Sequence, residues 1–208
     1  MPYTTGRVVS RIATSQRVVY LTFDGGSGAQ AVDSVVATLN RERVPATFFL
    51  TGAFVTAHPS AAARAAALGQ VGNHTYSHPH LPTLDTTGIR HEVDSARSAI
   101  LRTTGRDPQP LFRFPFGDYD GRTLATVNGL GYVAVGWTVD TLGWKGRSGG
   151  SSVGEVTARV AGSRAPGQIV LMHLGAAPDG TTLDADALSQ VIQQARAAGY
   201  MFGTVGRP

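Results

Sequence analysis

Short apolar runs alternate with helical stretches along the whole chain, and this alternation constrains the fold more than any other feature. The runs at residues 17–23, 46–50, 70–73, 110–114, 132–137, 168–172 and 200–205 predict seven strands. Between them, 30–41, 53–68 and 185–198 are Ala-rich and lack internal glycine, while 84–102, 122–130 and 153–160 also carry helical character. Strands alternating with helices predict an α/β fold with a parallel sheet. The strands are apolar along most of their length, as expected when both faces are covered. No low-complexity linker divides the 208 residues, so 1–208 is expected to form one domain. An open doubly wound sheet and a closed barrel both satisfy this pattern.

The polar residues at the strand ends separate the two. Asp24 ends the first strand, His74 follows the third, Arg113 lies in the fourth, Asp140 follows the fifth and His173 ends the sixth. In a barrel these C-terminal ends form one face, the face where catalytic groups collect. His74 and His78 are spaced i and i+4. On one turn of helix both imidazoles would share a face and could meet one metal ion, whereas the bland alternative is two surface histidines on a loop.

Composition removes several chemistries. There is no cysteine, which excludes disulfides, thiolate metal sites and cysteine nucleophiles. Lys145 is the single lysine. The net charge is +4, but the arginines are scattered without interleaved aromatics, so no nucleic-acid face is expected. No apolar run reaches the roughly 18–20 residues of a membrane span. Residues 1–5 have neither a charged n-region nor an apolar h-region, so no signal peptide is read there. A rival reading comes from Gly26, Gly28 and Ala31, which satisfy the GxGxxA dinucleotide fingerprint. It lacks the acidic residue that should end the second strand, which finishes Phe48-Phe49-Leu50-Thr51-Gly52, and it gives the histidines no role.

Five segments occur in order: Thr22-Phe23-Asp24-Gly25-Gly26; His74-Thr75-Tyr76-Ser77-His78; Arg113-Phe114-Pro115-Phe116-Gly117; Trp137-Thr138-Val139-Asp140-Thr141-Leu142-Gly143-Trp144; and Ile169-Val170-Leu171-Met172-His173. With them the chain, from Val18 to Val205, resembles the NodB-homology polysaccharide deacetylases, carbohydrate esterase family four. The resemblance implies a distorted (β/α) barrel of about seven parallel strands. It implies hydrolysis of N-acetyl groups on an N-acetylglucosamine-type polysaccharide such as peptidoglycan or a chitin-like polymer, releasing acetate. Residue by residue, it implies Asp24 as catalytic base and Arg113 as the residue orienting it. His173 would be the general acid and Asp140 the carboxylate holding that histidine. His74 and His78 would be ligands of a divalent metal, Zn2+ first among the choices. The Phe116 N–H would help hold the oxyanion, and Leu171 and Trp144 would line the acetyl pocket. The resemblance also implies a secreted or cell-wall-associated protein acting as a monomer.

One departure matters. Family members carry an aspartate, the third metal ligand, where this chain has Gly25. Three outcomes are open: a weakly held metal with extra waters, Asp24 serving as a ligand itself, or loss of the metal and conversion to a glycan-binding pseudoenzyme. His80, Asp118 and Asp120 are the substitute ligands within reach in sequence, each more readily read as a solvated loop residue. His58 and His91 read as surface residues. Trp137 reads as core, and Trp144, in a loop, as a residue that can stack on a sugar.

Overall fold

The computed structural model describes residues 6–26 and 28–206. Residues 1–5, read above for a leader, and Ser27, inside the glycine run, lie outside the described residues. Eight parallel strands form one curled sheet: β1 Val18–Gly25, β2 Thr47–Leu50, β3 Gln70–Asn73, β4 Leu111–Phe112, β5 Val133–Ala134, β6 Val139–Asp140, β7 Gln168–His173 and β8 Met201–Phe202. Seven of them follow the order β5-β4-β3-β2-β1-β7-β6, and β8 pairs β1 at Val18 and Val19, below the stretch that pairs β2. This is the distorted barrel expected, with one added strand. Asp140, placed after the fifth strand by sequence, sits instead in β6, a two-residue strand paired to Val170 and Leu171.

The strand alternation is visible in β1, which is buried along its whole length. Val19, Leu21 and Phe23 face the layer of helices, with Phe48, Val170 and Met172 from neighbouring strands. Tyr20 faces the interior, with Phe49, Leu111 and Ile169. A period of two puts Thr22 and Asp24 on that interior face and Gly25 on the helix face. The open side of the sheet is laced by the N-terminal segment. Val9 bridges Val135 beside β5, and Arg11 bridges Gln168 in β7. Val9 N donates to Ala134 O, Gly136 N donates to Val9 O, and Ile12 N donates to Gly167 O.

The helices are α1 Val32–Glu42, α2 Gly52–Ala57, α3 Pro59–Leu68, α4 Thr86–Thr104, α5 Gly121–Gly129, α6 Val153–Gly162 and α7 Leu183–Ala197. The single helix expected over 53–68 is two, because Pro59 has no N–H to continue the ladder and instead opens α3. Asp120, weighed above as a ligand, is the N-cap of α5: its carboxylate accepts from Thr123 N at 2.7 Å. His91 is exposed on α4, and the His58 ring lies against Phe54. Among the described residues no helix is long and apolar enough to cross a membrane.

Candidate active site

Strand ends deliver the polar residues to one pocket of about 710 Å³, lined among others by Asp24, His74, His78, Phe116, Asp140, Trp144, Leu171 and His173. Arg113 lies beneath it, inside the barrel and wholly buried. Its guanidinium is bonded on every side. Nη1 donates to Asp24 Oδ1 at 2.7 Å and to Thr22 Oγ1 at 2.9 Å. Nε donates to Val135 O at 3.2 Å and Nη2 to Gly136 O at 3.0 Å. The Phe49 ring covers one face of the group, 4.1 Å from its carbon. Burial works against the Asp24 carboxylate, but Arg113, His74 and His173 outweigh it and hold its pKa below the ordinary value.

His74 follows β3, and its Nδ1 lies 2.9 Å from Arg113 O. A carbonyl only accepts, so Nδ1 carries the proton and the Nε2 lone pair is left to face the pocket. Nε2 stands 3.1 Å from His78 Nε2 and 3.5 Å from Asp24 Oδ2. The segment joining the two histidines is not helical, as the i, i+4 argument supposed. It is a loop in which Thr75 and His78 take left-handed conformations, with φ of 67° and 62°. Burial lowers the pKa of both histidines, that of His78 to about 4 with help from His74, so both rings are neutral near pH 7.

Neutral rings whose Nε2 atoms are turned toward each other suit a pair of metal ligands. The 3.1 Å gap is also within the span of two Zn–N bonds of about 2.0–2.1 Å. Among the described residues there is no group of three or more His, Cys, Asp or Glu side chains set to hold a metal ion. Asp24 stands back from the pair, and residue 25 does not face it. A Cβ on Gly25 would meet Leu50 Cδ2 at 2.9 Å, Phe54 Cδ1 at 3.3 Å and Leu174 Cδ1 at 3.4 Å, all in the helix-side core. The carboxylate nearest the histidines is therefore that of Asp24. Among the substitutes considered, His80 and Asp118 pair with each other at 2.9 Å, with the His80 ring stacked on Phe116.

On the opposite wall His173 ends β7. The carboxylate beside it is Asp184, at the start of α7, with Oδ2 3.5 Å from His173 Nδ1. This corrects the expected role of Asp140, whose oxygens are engaged by Leu142 N at 2.8 Å and Trp144 Nε1 at 3.1 Å. Asp184 is buried; it accepts from His173 N at 2.8 Å and from Thr141 Oγ1 at 2.6 Å. Room for it comes from Gly143, where a Cβ would lie 2.2 Å from Asp184 Oδ1. Burial disfavours a charged His173, but Asp184, Asp24 and Asp140 outweigh it and raise its pKa above the ordinary value. Asp184 escaped the sequence argument because an acid in a helix's first turn reads as a partner of the helix dipole.

Phe116 is exposed at the rim with φ of 59°, and the donors that close its turn are Gly117 N and Asp118 N. That leaves the Phe116 N–H outside the turn's own bonding. Trp144 is 45% exposed and held at the pocket edge by Asp140. Trp137, read as core, is half-buried: one side packs against the interior cluster and the residue also lines the pocket.

The polysaccharide deacetylase family matches residues 11–135. A chitooligosaccharide deacetylase of Bradyrhizobium sp. is 35% identical over 192 residues, covering 92% of this chain and 85% of that protein. A peptidoglycan-N-acetylmuramic acid deacetylase of Bacillus subtilis is 31% identical over 195 residues, covering 92% and 71%. Among solved structures, a family four carbohydrate esterase pseudoenzyme from Bacillus anthracis superposes with a TM-score of 0.88 at 26% identity, covering 98% of this chain and 69% of that one. The dinucleotide-binding reading of the glycine run is thereby set aside, and the chain belongs to the polysaccharide deacetylase family, carbohydrate esterase family four.

Proposed function

We propose that this chain removes acetyl groups from N-acetylglucosamine-type units of a cell-wall polysaccharide, with peptidoglycan as the first candidate and chitin-like oligomers as the second. One observation carries the mechanism: two titratable groups of one pocket are displaced in opposite directions, Asp24 toward the ionised form and His173 toward the protonated form. Opposed displacements of this kind support reading Asp24 as base and His173 as acid.

The acetamide enters between Leu171, Trp144 and Phe116. Asp24, kept ionised and fixed by Arg113, takes a proton from the attacking water. The water oxygen bonds to the acetyl carbon, and the developing oxyanion accepts from the Phe116 N–H. His173 gives its proton to the sugar nitrogen as the C–N bond breaks, leaving acetate and a free amine. His74 and His78 would hold a divalent ion, Zn2+ by the preference of paired imidazoles. Such an ion would acidify water, so that a carboxylate with a lowered pKa would suffice as base. The relatives' named activities on peptidoglycan and chitooligosaccharides support a secreted or cell-wall-associated setting.

The test is acetate release from peptidoglycan and from chitooligosaccharides, with Zn2+ supplied, by the parent, Asp24→Asn and His173→Ala. The expected result is release by the parent alone. No release from any substrate by the metal-supplied parent would favour the other reading, a glycan-binding pseudoenzyme, for which the likeness to the Bacillus anthracis protein is the specific support.

A further inference from the structure

We infer that Glu92 is a positioning residue for the His74–His78 pair, holding from α4 the loop that carries His78. This rests on the proposal that the pair binds a metal ion. The Glu92 carboxylate lies outside the pocket's own bonding, yet it is saturated by that loop. Oε2 accepts from Tyr76 N at 2.9 Å and from Ser77 N at 2.8 Å, and Oε1 accepts from Ser77 Oγ at 2.7 Å. Successive N–H groups turned to one side form a concave anion seat, and here a side chain fills it.

The loop needs such a clamp. Thr75 and His78 both take left-handed conformations that L-residues disfavour, most of all a β-branched one. The opposite side of the loop is held by α2: Gly52 N donates to Thr75 O and Ala53 N donates to Tyr76 O. Gly52 allows this approach, since a Cβ there would lie 2.0 Å from the Tyr76 ring. The anchor itself is fixed. Next to Glu92, Val93 O accepts from Asn73 Nδ2 at 2.8 Å, and Asn73 Oδ1 accepts from Thr75 N at 2.9 Å. Helix α4, the end of β3 and the histidine loop are thus one bonded unit. Removing the carboxylate leaves two aligned amides without their acceptor and lets His78 depart from His74.

Metal affinity, read by competition with a chelator for Zn2+, tests this on the parent and on Glu92→Ala, Glu92→Gln, Ser77→Ala and His78→Ala. Hydrogen exchange at Tyr76 and Ser77 is followed in parallel, with circular dichroism to confirm folding. Glu92→Ala is expected to weaken affinity about 10–100-fold, the usual effect of losing a group that orients a ligand, and to speed exchange at both amides. Glu92→Gln restores most of the affinity, because its amide oxygen still accepts from both N–H groups while Ser77 Oγ turns to accept. Ser77→Ala, which loses one bond of three, falls between. Parent-like affinity in a folded Glu92→Ala protein overturns the inference, even if exchange is faster. A parent that binds no Zn2+ removes the metal proposal and this one with it, whereas parent binding that His78→Ala loses and Glu92→Ala keeps removes this one alone.

Discussion

The two sides of the pocket are built on opposite terms. At the Asp24 corner the Arg113 nitrogens all have partners and the side chain is fully buried. At the His173 corner Nδ1 is buried without a hydrogen bond, Asp184 stands off at 3.5 Å, and the ring is 28% exposed. The difference matches the two tasks proposed for them. A base that must stay ionised is served by a fixed, dry countercharge. An acid that gives up a proton each turnover must recover it from solvent, and a fully bonded, fully buried ring would be slow to do so.

Removing the fixed corner should have the largest effect. Arg113→Ala strips a buried ion pair of one partner and orphans two carbonyls, so thermal and denaturant unfolding should show a loss of about 3–5 kcal/mol. The Asp24 carboxyl also loses its cation, so the acidic limb of the pH–rate profile should move to higher pH. Parent-like stability would mean that the guanidinium is not the keystone of the interior. Asp24→Asn spares the architecture, since the amide oxygen still accepts from Arg113, and should cost on the order of 10²–10⁴-fold in turnover with near-normal unfolding. Activity within a few-fold of the parent would end its assignment as base.

The loose corner is probed by Asp184→Asn. His173 has a raised pKa, so its protonated form persists above the ordinary histidine range in the parent. Losing Asp184 should move the alkaline limb of kcat/KM to lower pH while activity at mildly acid pH is largely kept. The stability that a raised histidine pKa confers is fully present below about pH 6.5 and is lost as pH rises through the folded value. The gap in stability between parent and variant should therefore narrow in that direction. Asp140→Asn should do less: Trp144 loses a charged acceptor, KM rises a few-fold and the alkaline limb moves to lower pH by less than in Asp184→Asn, because Asp140 is the weakest of the carboxylates that raise the His173 pKa. An equal shift of that limb in both variants would return Asp140 to the role the motif suggested. The smallest effect is expected from Gly25→Ala, about 1 kcal/mol in denaturant unfolding, as Leu50 Cδ2 yields to the new methyl.

Strand ends were the legible part of this molecule. Residues 70–73 coincide with β3, and Asp24, His74 and His173 converge on one pocket because runs of period two bring every second residue to the interior, while His78 joins them through a loop. What was not legible depends on contacts between distant segments. Val139–Asp140 is too short to announce a strand and becomes one only beside Val170 and Leu171. Asp184 matters through a vacancy left by Gly143, 41 residues earlier in a separate loop, and no local pattern records that complementarity. The same holds for Gly25: the motif suggests a missing ligand, but its direction follows from strand phase, which turns that position toward Leu50 and Phe54. The break at Pro59 is a local signal, since proline has no N–H with which to continue a helix.

The lacing of the open edge by the N-terminal segment ties the start of the chain to the chemistry at its centre. Val9 holds Ala134 and Gly136 by backbone bonds, and Val135 O and Gly136 O are two of the acceptors that aim Arg113 at Asp24. These partners are separated by more than half the chain, so the seam is a long-range closure, the slow kind to form in folding. Strands β1, β3 and β7, which carry the Asp24, His74 and His173 ends, pair without it. Trimming the chain past Ile12 is therefore expected to leave a recognisable sheet and histidine loop while loosening the carbonyls around the guanidinium. The damage would register as a shift in the acidic limb before it registered as unfolding, making the N-terminal segment a determinant of how basic the Asp24 carboxylate is.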